Sequence, residues 1–129
     1  MQTVRILKGS NDFTLPFSEQ SFAILVRRIA ALDLGSIGTP ERLAAMCAIL
    51  SQPGPISVSA LAHEQEVRAA TMSRMLTSLY NDGMIKRVDD AHDGRGRLVT
   101  TTAKGFRATE RARKVWREHI GRIMDTMEL

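Results

Sequence analysis

Apolar positions along the chain change period between residues 57 and 105, from the spacing of a helix to that of strands. Met72, Met75, Leu76 and Leu79 fall within an arc of about 100° at 3.6 residues per turn, so they predict one buried helical stripe. Opposite them lie Ala70, Ser73, Arg74 and Thr77, small or hydrogen-bonding groups with a single guanidinium. Such a face can sit deep in a groove and meet base edges, with Thr71 at its leading end. Asn81-Asp82-Gly83 then supplies the left-handed residue that ends a helix without Cβ strain. Ile85, Val88, Leu98 and Val99 flank a polar tip, Asp89 to Arg97, that holds two glycines and two arginines. A shorter helix, capped by Ser57 and carrying Leu61-Ala62, precedes all of this. Two short helices followed by a Gly-turned, Arg-tipped hairpin predict a winged helix-turn-helix.

The flanking segments are predominantly helical. Ser18 to Leu34 reads as a helix, with Phe22, Leu25, Val26, Ile29 and Leu32 at helical spacing and Gly35 at its end. Thr39-Pro40-Glu41 opens a second helix with an N-cap, a proline at N1 and an acid in the first turn; it runs to about Ser51. Pro53-Gly54-Pro55 breaks the chain, and Ile56 can add a short strand to the wing sheet. The last helix begins near Ala103 and extends to Met127, with Ala112, Trp116, Ile120, Ile123 and Met127 on one stripe. One winged-helix core cannot bury that stripe, so it calls for a partner helix. Residues 1 to 16 stay ambiguous, with Thr3 to Leu7 a strand or arm and Gly9-Ser10-Asn11-Asp12 turn-like. The expected fold class is therefore mainly α with a small β-hairpin wing (α+β).

With 129 residues, 43% of them apolar, the chain has material for one domain with a real core. The expected division is an arm over 1–16, a winged helix-turn-helix over 39–103, and dimerisation helices over 18–34 and 104–127. The N-terminus lacks the apolar core of a signal peptide, and no run of about 18 apolar residues occurs, which predicts a soluble cytoplasmic protein with no membrane partner. Cys47 stands alone in the sequence and cannot form an internal disulfide. Charge is distributed unevenly: residues 68 to 122 hold 13 Lys/Arg against 6 Asp/Glu, while the remainder is net acidic. That asymmetry favours a polyanionic partner over the alternative of a merely solvated basic helix.

The run Asp93-Gly94-Arg95-Gly96-Arg97-Leu98-Val99, followed by Thr102-Ala103-Lys104-Gly105, resembles the wing and final-helix start of the MarR (multiple antibiotic resistance regulator) family of winged-helix transcription factors. Leu61-Ala62 and Leu79 to Arg87 are similar to its helix-turn-helix and the strand that follows, and the likeness spans roughly residues 20 to 125. It implies a homodimeric regulator of double-stranded DNA, in the family's manner a repressor, with half-sites about one helical turn apart on a pseudo-palindrome. Phe22, Val26, Trp116, Ile120, Ile123 and Met127 would form the dimer interface. Family members often bind aromatic or anionic effectors, so a small-molecule effector belongs to this expectation, although no pocket can be named from these residues. The chain departs from the pattern at Gln65 and Thr101, usually apolar, and at Arg68, where a small N-capping residue is usual. A cation at a helix N-terminus opposes the macrodipole, a cost that makes sense if Arg68 meets DNA phosphate.

The DNA-binding residues expected are thus Ser57, Arg68, Ala70, Thr71, Ser73, Arg74, Thr77, Arg95 and Arg97. Arg74 can read guanine bidentately, and Arg95 can enter a minor groove. Asp93 would orient an arginine, because a carboxylate facing phosphates is repelled. The bland alternatives are a solvated helix face and arginines that only solubilise a hairpin. Cys47 lies on the stripe Leu43, Met46, Cys47, Leu50 with no Lys, Arg or His within four residues, which favours a core thiol over a redox sensor. His92 with Asp89, Asp90 and Asp93 resembles a loose metal cluster, but neighbouring arginines compete with a cation, and neither metal nor cofactor is expected. No nucleophile elbow, phosphate-binding glycine loop or zinc spacing occurs, so the chain reads as a non-enzyme. Two rival readings stay open: a winged-helix protein-interaction module, and an effector sensor whose DNA contacts are secondary.

Overall fold

The computed structural model describes residues 4–8, 11–15, 18–89 and 97–126. In chain order the elements are β1 (Val4–Lys8), β2 (Asn11–Leu15), α1 (Glu19–Ala30), α2 (Pro40–Leu50), β3 (Ile56–Ser57), α3 (Val58–Glu64), α4 (Ala69–Asn81), β4 (Ile85–Asp89), β5 (Arg97–Thr101) and α5 (Ala103–Thr126). A single 3-10 turn, Gly35–Ile37, precedes α2. The chain divides into two compact units, one of residues 34–113 and the other of residues 1–33 with 114–129.

The first unit is a winged helix. Its sheet has the order β3-β5-β4, all antiparallel, with Ile56 opposite Val99 and a β4–β5 hairpin running from Ile85↔Thr101 to Asp89↔Arg97. The short strand expected at Ile56 is present as the sheet edge. Helix starts follow the local chemistry: Thr39 Oγ1 accepts from the Arg42 N–H at 3.2 Å, and Ser57 Oγ accepts from the Ala60 N–H at 3.2 Å. The core joins Ile37, Met46 and Ile49 to Leu61, to Met72, Leu76 and Leu79 of α4, and to Met84, Ile85 and Val99 of the hairpin. Met75 is half-buried at the edge of the α4 stripe. On α2, Leu43 and Met46 are buried while Cys47 and Leu50 are half-buried.

The second unit contains α1, the later part of α5 and a hairpin. β1 and β2 pair antiparallel from Val4↔Leu15 to Lys8↔Asn11, so Asn11 and Asp12 belong to a strand rather than a turn. Gly9 and Ser10 lie outside the described residues. α1 is shorter than the apolar spacing predicts. Ser18 caps it as expected, but it closes at Ala31, and the Leu32 N–H already bonds back to Ile29 at 3.1 Å. The reason is burial further on: Leu34 and Ile37 are core residues of the winged helix, and Gly35, at φ 63°, starts the turn between them instead of ending a helix. Among the described residues, no helix is long and apolar enough to cross a membrane.

Candidate nucleic-acid interface

The site is built on α4, which places Ala70, Thr71, Ser73, Arg74 and Thr77 on one exposed face while Met72, Leu76 and Leu79 are buried behind it. Arg68 is the N-cap residue, exposed, with extended backbone and no side-chain capping bond. The turn from α3 into α4 is closed by backbone hydrogen bonds. Val67 N–H bonds to Ala62 O at 3.0 Å and Glu66 N–H to His63 O at 3.2 Å, with Glu66 in the left-handed region at φ 56°. This is a Schellman arrangement with a glutamate where glycine is preferred. Gln65 is the half-buried C-cap of α3, bonding through its backbone N–H.

The other end of α4 is held by side chains from α2, from α5 and from Thr102 just before α5. Gly83, at φ 76°, completes a second Schellman turn, with Gly83 N–H to Tyr80 O at 3.0 Å and Met84 N–H to Leu79 O at 2.9 Å. Arg42 of α2 donates to Ser78 Oγ at 3.0 Å and to Asp82 Oδ2 at 2.8 Å. Lys104 Nζ donates to the Asp82 carbonyl at 2.9 Å, placing a cation at the negative end of the helix. Thr102 donates its hydroxyl to Gly83 O at 2.6 Å and accepts the Gly105 N–H at 3.0 Å, which caps α5. A Cβ on Gly105 would collide with the Met84 carbonyl. Thr-x-Lys-Gly is therefore a latch: cap, carbonyl clamp and close approach within four residues.

Two basic strands extend the exposed face. Arg87 stacks its guanidinium 4.4 Å above the Tyr80 ring and lies 3.5 Å from Thr77 Oγ1, which itself donates to Ser73 O at 2.9 Å. Arg97 is exposed at the start of β5, opposite Asp89. Arg68, Arg74, Lys86, Arg87 and Arg97 thus form an exposed basic set in one unit. Ser57 is half-buried and occupied as a cap. The expected wing residues Asp93 and Arg95 lie outside the described residues, as does Met127. His92, Asp90 and Asp93 also lie outside them, and no group of three or more His, Cys, Asp or Glu able to hold a metal ion occurs among the described residues. In the other unit, Phe22 and Val26 are about half exposed, and Trp116, Ile120 and Ile123 are half-buried.

Sequence reasoning missed Arg42, Tyr80 and Arg87 as parts of this region. Arg42 reaches partners 36 and 40 residues away, and no local pattern signals that. An aromatic residue on the polar side of α4, followed by Lys86-Arg87 on the next strand, was the available clue to the stack. Near the start of α5 there is also an open recess of about 350 Å³, lined by Ile49, Leu50, Gln52, Pro53, Thr101 and Phe106 among others.

A three-helix core, a three-stranded sheet and an exposed polar face on the second helix of the pair define a winged helix-turn-helix protein. Comparison with known proteins agrees. The MarR family profile matches residues 41–96. An HTH-type transcriptional regulator from Mycobacterium bovis is 31% identical over 104 residues, which cover 77% of this chain and 72% of that protein. A probable transcriptional regulator from Pseudomonas aeruginosa, solved by crystallography, superposes with a TM-score of 0.70 at 28% identity, covering 81% of this chain and 80% of that one. A variant of E. coli MarR complexed with operator DNA shares the fold, with a TM-score of 0.71 at 20% identity over 84% of this chain and 77% of that one. The chain belongs to the MarR family of DNA-binding transcription regulators, which are not enzymes.

Proposed function

We propose that this chain is a homodimeric, sequence-specific regulator that represses transcription by occupying a pseudo-palindromic operator in double-stranded DNA. The observation that carries the reading is the α4 face: Ala70, Ser73, Arg74 and Thr77 are exposed together on a helix whose opposite side is locked into the core. In this reading α4 enters the major groove, Arg74 reads a guanine edge, and Thr71, Ser73 and Thr77 meet bases or phosphates. Arg68 neutralises a phosphate at the helix start, and Arg95 and Arg97 of the wing, oriented by Asp93, serve the flanking minor groove.

Support for a dimer comes from the apolar residues of the second unit. Phe22 and Val26, one turn apart on α1, remain exposed in a single chain, and Trp116, Ile120 and Ile123 share one stripe of α5. A second copy would cover them. The second reading is an effector that modulates DNA affinity, and the open recess beside Thr101 and Phe106 is a place to look for it. The regulator reading carries with it the expectation of a cytoplasmic protein.

The test is selection of bound duplexes from a random-sequence library while salt is titrated. An enriched palindrome with half-sites about one helical turn apart and a steep salt slope is the expected result. Salt-sensitive retention without enrichment would mean an architectural role, and no retention would favour a protein-interaction module.

A further inference from the structure

Arg87 is an exposed cation on β4, the strand that leads from the end of α4 toward the wing. Antiparallel pairing with Val99 puts it on the same sheet face as Ile85 and Val99, the face turned to α4. Its Cζ lies 4.4 Å from the centroid of the Tyr80 ring, and one nitrogen lies 3.5 Å from Thr77 Oγ1. Tyr80 is itself 44% exposed, so the pair sits at the surface and is no plug of the core. Its place on the α4 wheel, three residues beyond Thr77 and seven beyond Ser73, continues the exposed stripe.

We infer that Arg87, held by its stack on Tyr80, is a phosphate clamp for the DNA strand running between the groove entered by α4 and the groove met by the wing. The inference rests on the DNA-binding reading given above. If a helix occupies a major groove and the hairpin beyond it meets the adjacent minor groove, one sugar-phosphate strand must pass over the ground between them. β4 is that ground, and Arg87 is its exposed guanidinium. The ring contact and the Nη2 bond to Thr77 engage only part of the guanidinium, and its remaining N–H groups can donate to a phosphate. The ring and Thr77 also restrict the side chain before DNA arrives, which lowers the ordering cost of the contact. Because phosphates carry no base identity, Arg87 sets affinity and the seating of α4, not base preference.

The experiment measures affinity against salt for two duplexes, one carrying the site enriched from a random library and one of the same length with that site scrambled. Arg87→Gln is expected to weaken both about tenfold and to lower the slope of log affinity on log salt by about 0.9, the value for one phosphate contact. Arg87→Lys should keep the slope and lose part of the affinity, because the charge remains and the planar stack does not. Tyr80→Phe should bind as the unsubstituted chain does, whereas Tyr80→Leu should bind about threefold more weakly with the slope nearly intact. Thermal melts of each variant separate misfolding from lost contact. An Arg87→Gln protein with lowered melting temperature but unchanged slope and affinity would overturn the inference and leave Arg87 a structural stack. Absence of DNA binding by the unsubstituted chain would overturn the regulator reading and the inference with it.

Discussion

The two ends of α4 are built by opposite means. Its C-terminal end is fastened by a left-handed glycine, by Arg42 on Asp82 and Ser78, by Lys104 on the Asp82 carbonyl and by Thr102 on the Gly83 carbonyl. Its N-terminal end has a glutamate in the left-handed region, an N-cap arginine without a capping bond, and the positive end of the helix dipole beside a positive side chain. Side chains from α2 and α5 fix one end, and among the described residues no side-chain bond of that kind serves the other. The contrast suits a helix that is presented by its trailing end and completed at its leading end by an anion. Stability is concentrated where the protein holds the helix, and local cost is tolerated where a ligand could repay it.

The largest break in this contrast should come at the fastened end. Gly105→Ala would drive a methyl into the Met84 carbonyl and is expected to cost on the order of 3 kcal/mol in chemical denaturation. Gly54→Ala, with open space around it, should stay within about 0.5 kcal/mol and serves as its control. At the other end Arg68→Ser should do two opposite things. A hydroxyl cap in place of an opposing cation should stabilise the fold by about 1 kcal/mol, while DNA affinity should fall about tenfold with a shallower salt slope. A stabilised variant with unchanged binding would mean that Arg68 meets no phosphate.

Smaller effects sharpen the same comparison. Arg42→Ala removes two bonds from a side chain that is 17% exposed, but the Asp82 side chain is 49% exposed, so solvent screening limits the expected loss to about 1 kcal/mol. Hydrogen exchange should then quicken in the last turn of α4 and not in its first. Glu66→Gly relieves left-handed strain but loosens the unfolded chain, so the net gain in denaturation should be only about 0.5 kcal/mol.

Much of the fold was legible because the informative residues act locally. The Met72, Leu76 and Leu79 stripe, the Thr39 and Ser57 caps and the turn at Gly83 each show in residues within a few positions of one another, and the structure has each of them. The early end of α1 was not legible, because it depends on Leu34 and Ile37 being claimed by another core. Nor could the sequence announce the left-handed Glu66, since nothing in a glutamate distinguishes that backbone from the last turn of a helix. The motif Thr102 to Gly105 stood out as a resemblance, but its physical content needed the carbonyls of Asp82, Gly83 and Met84 beside it. For the candidate interface, the exposed face of α4 follows from the helix period, whereas the Arg87 stack on Tyr80 depends on the tertiary placement of a strand against a helix.

The most direct test of the account is the base preference of Arg74→Gln. Its affinity, and that of the unsubstituted chain, would be measured on a set of duplexes with each position of the selected site changed in turn. If α4 reads the major groove, the substituted protein should lose discrimination at one base pair per half-site, by about 1–3 kcal/mol, and keep its preferences elsewhere. Uniform weakening at every position, or no change at any, would contradict the assignment of α4 as the reading helix.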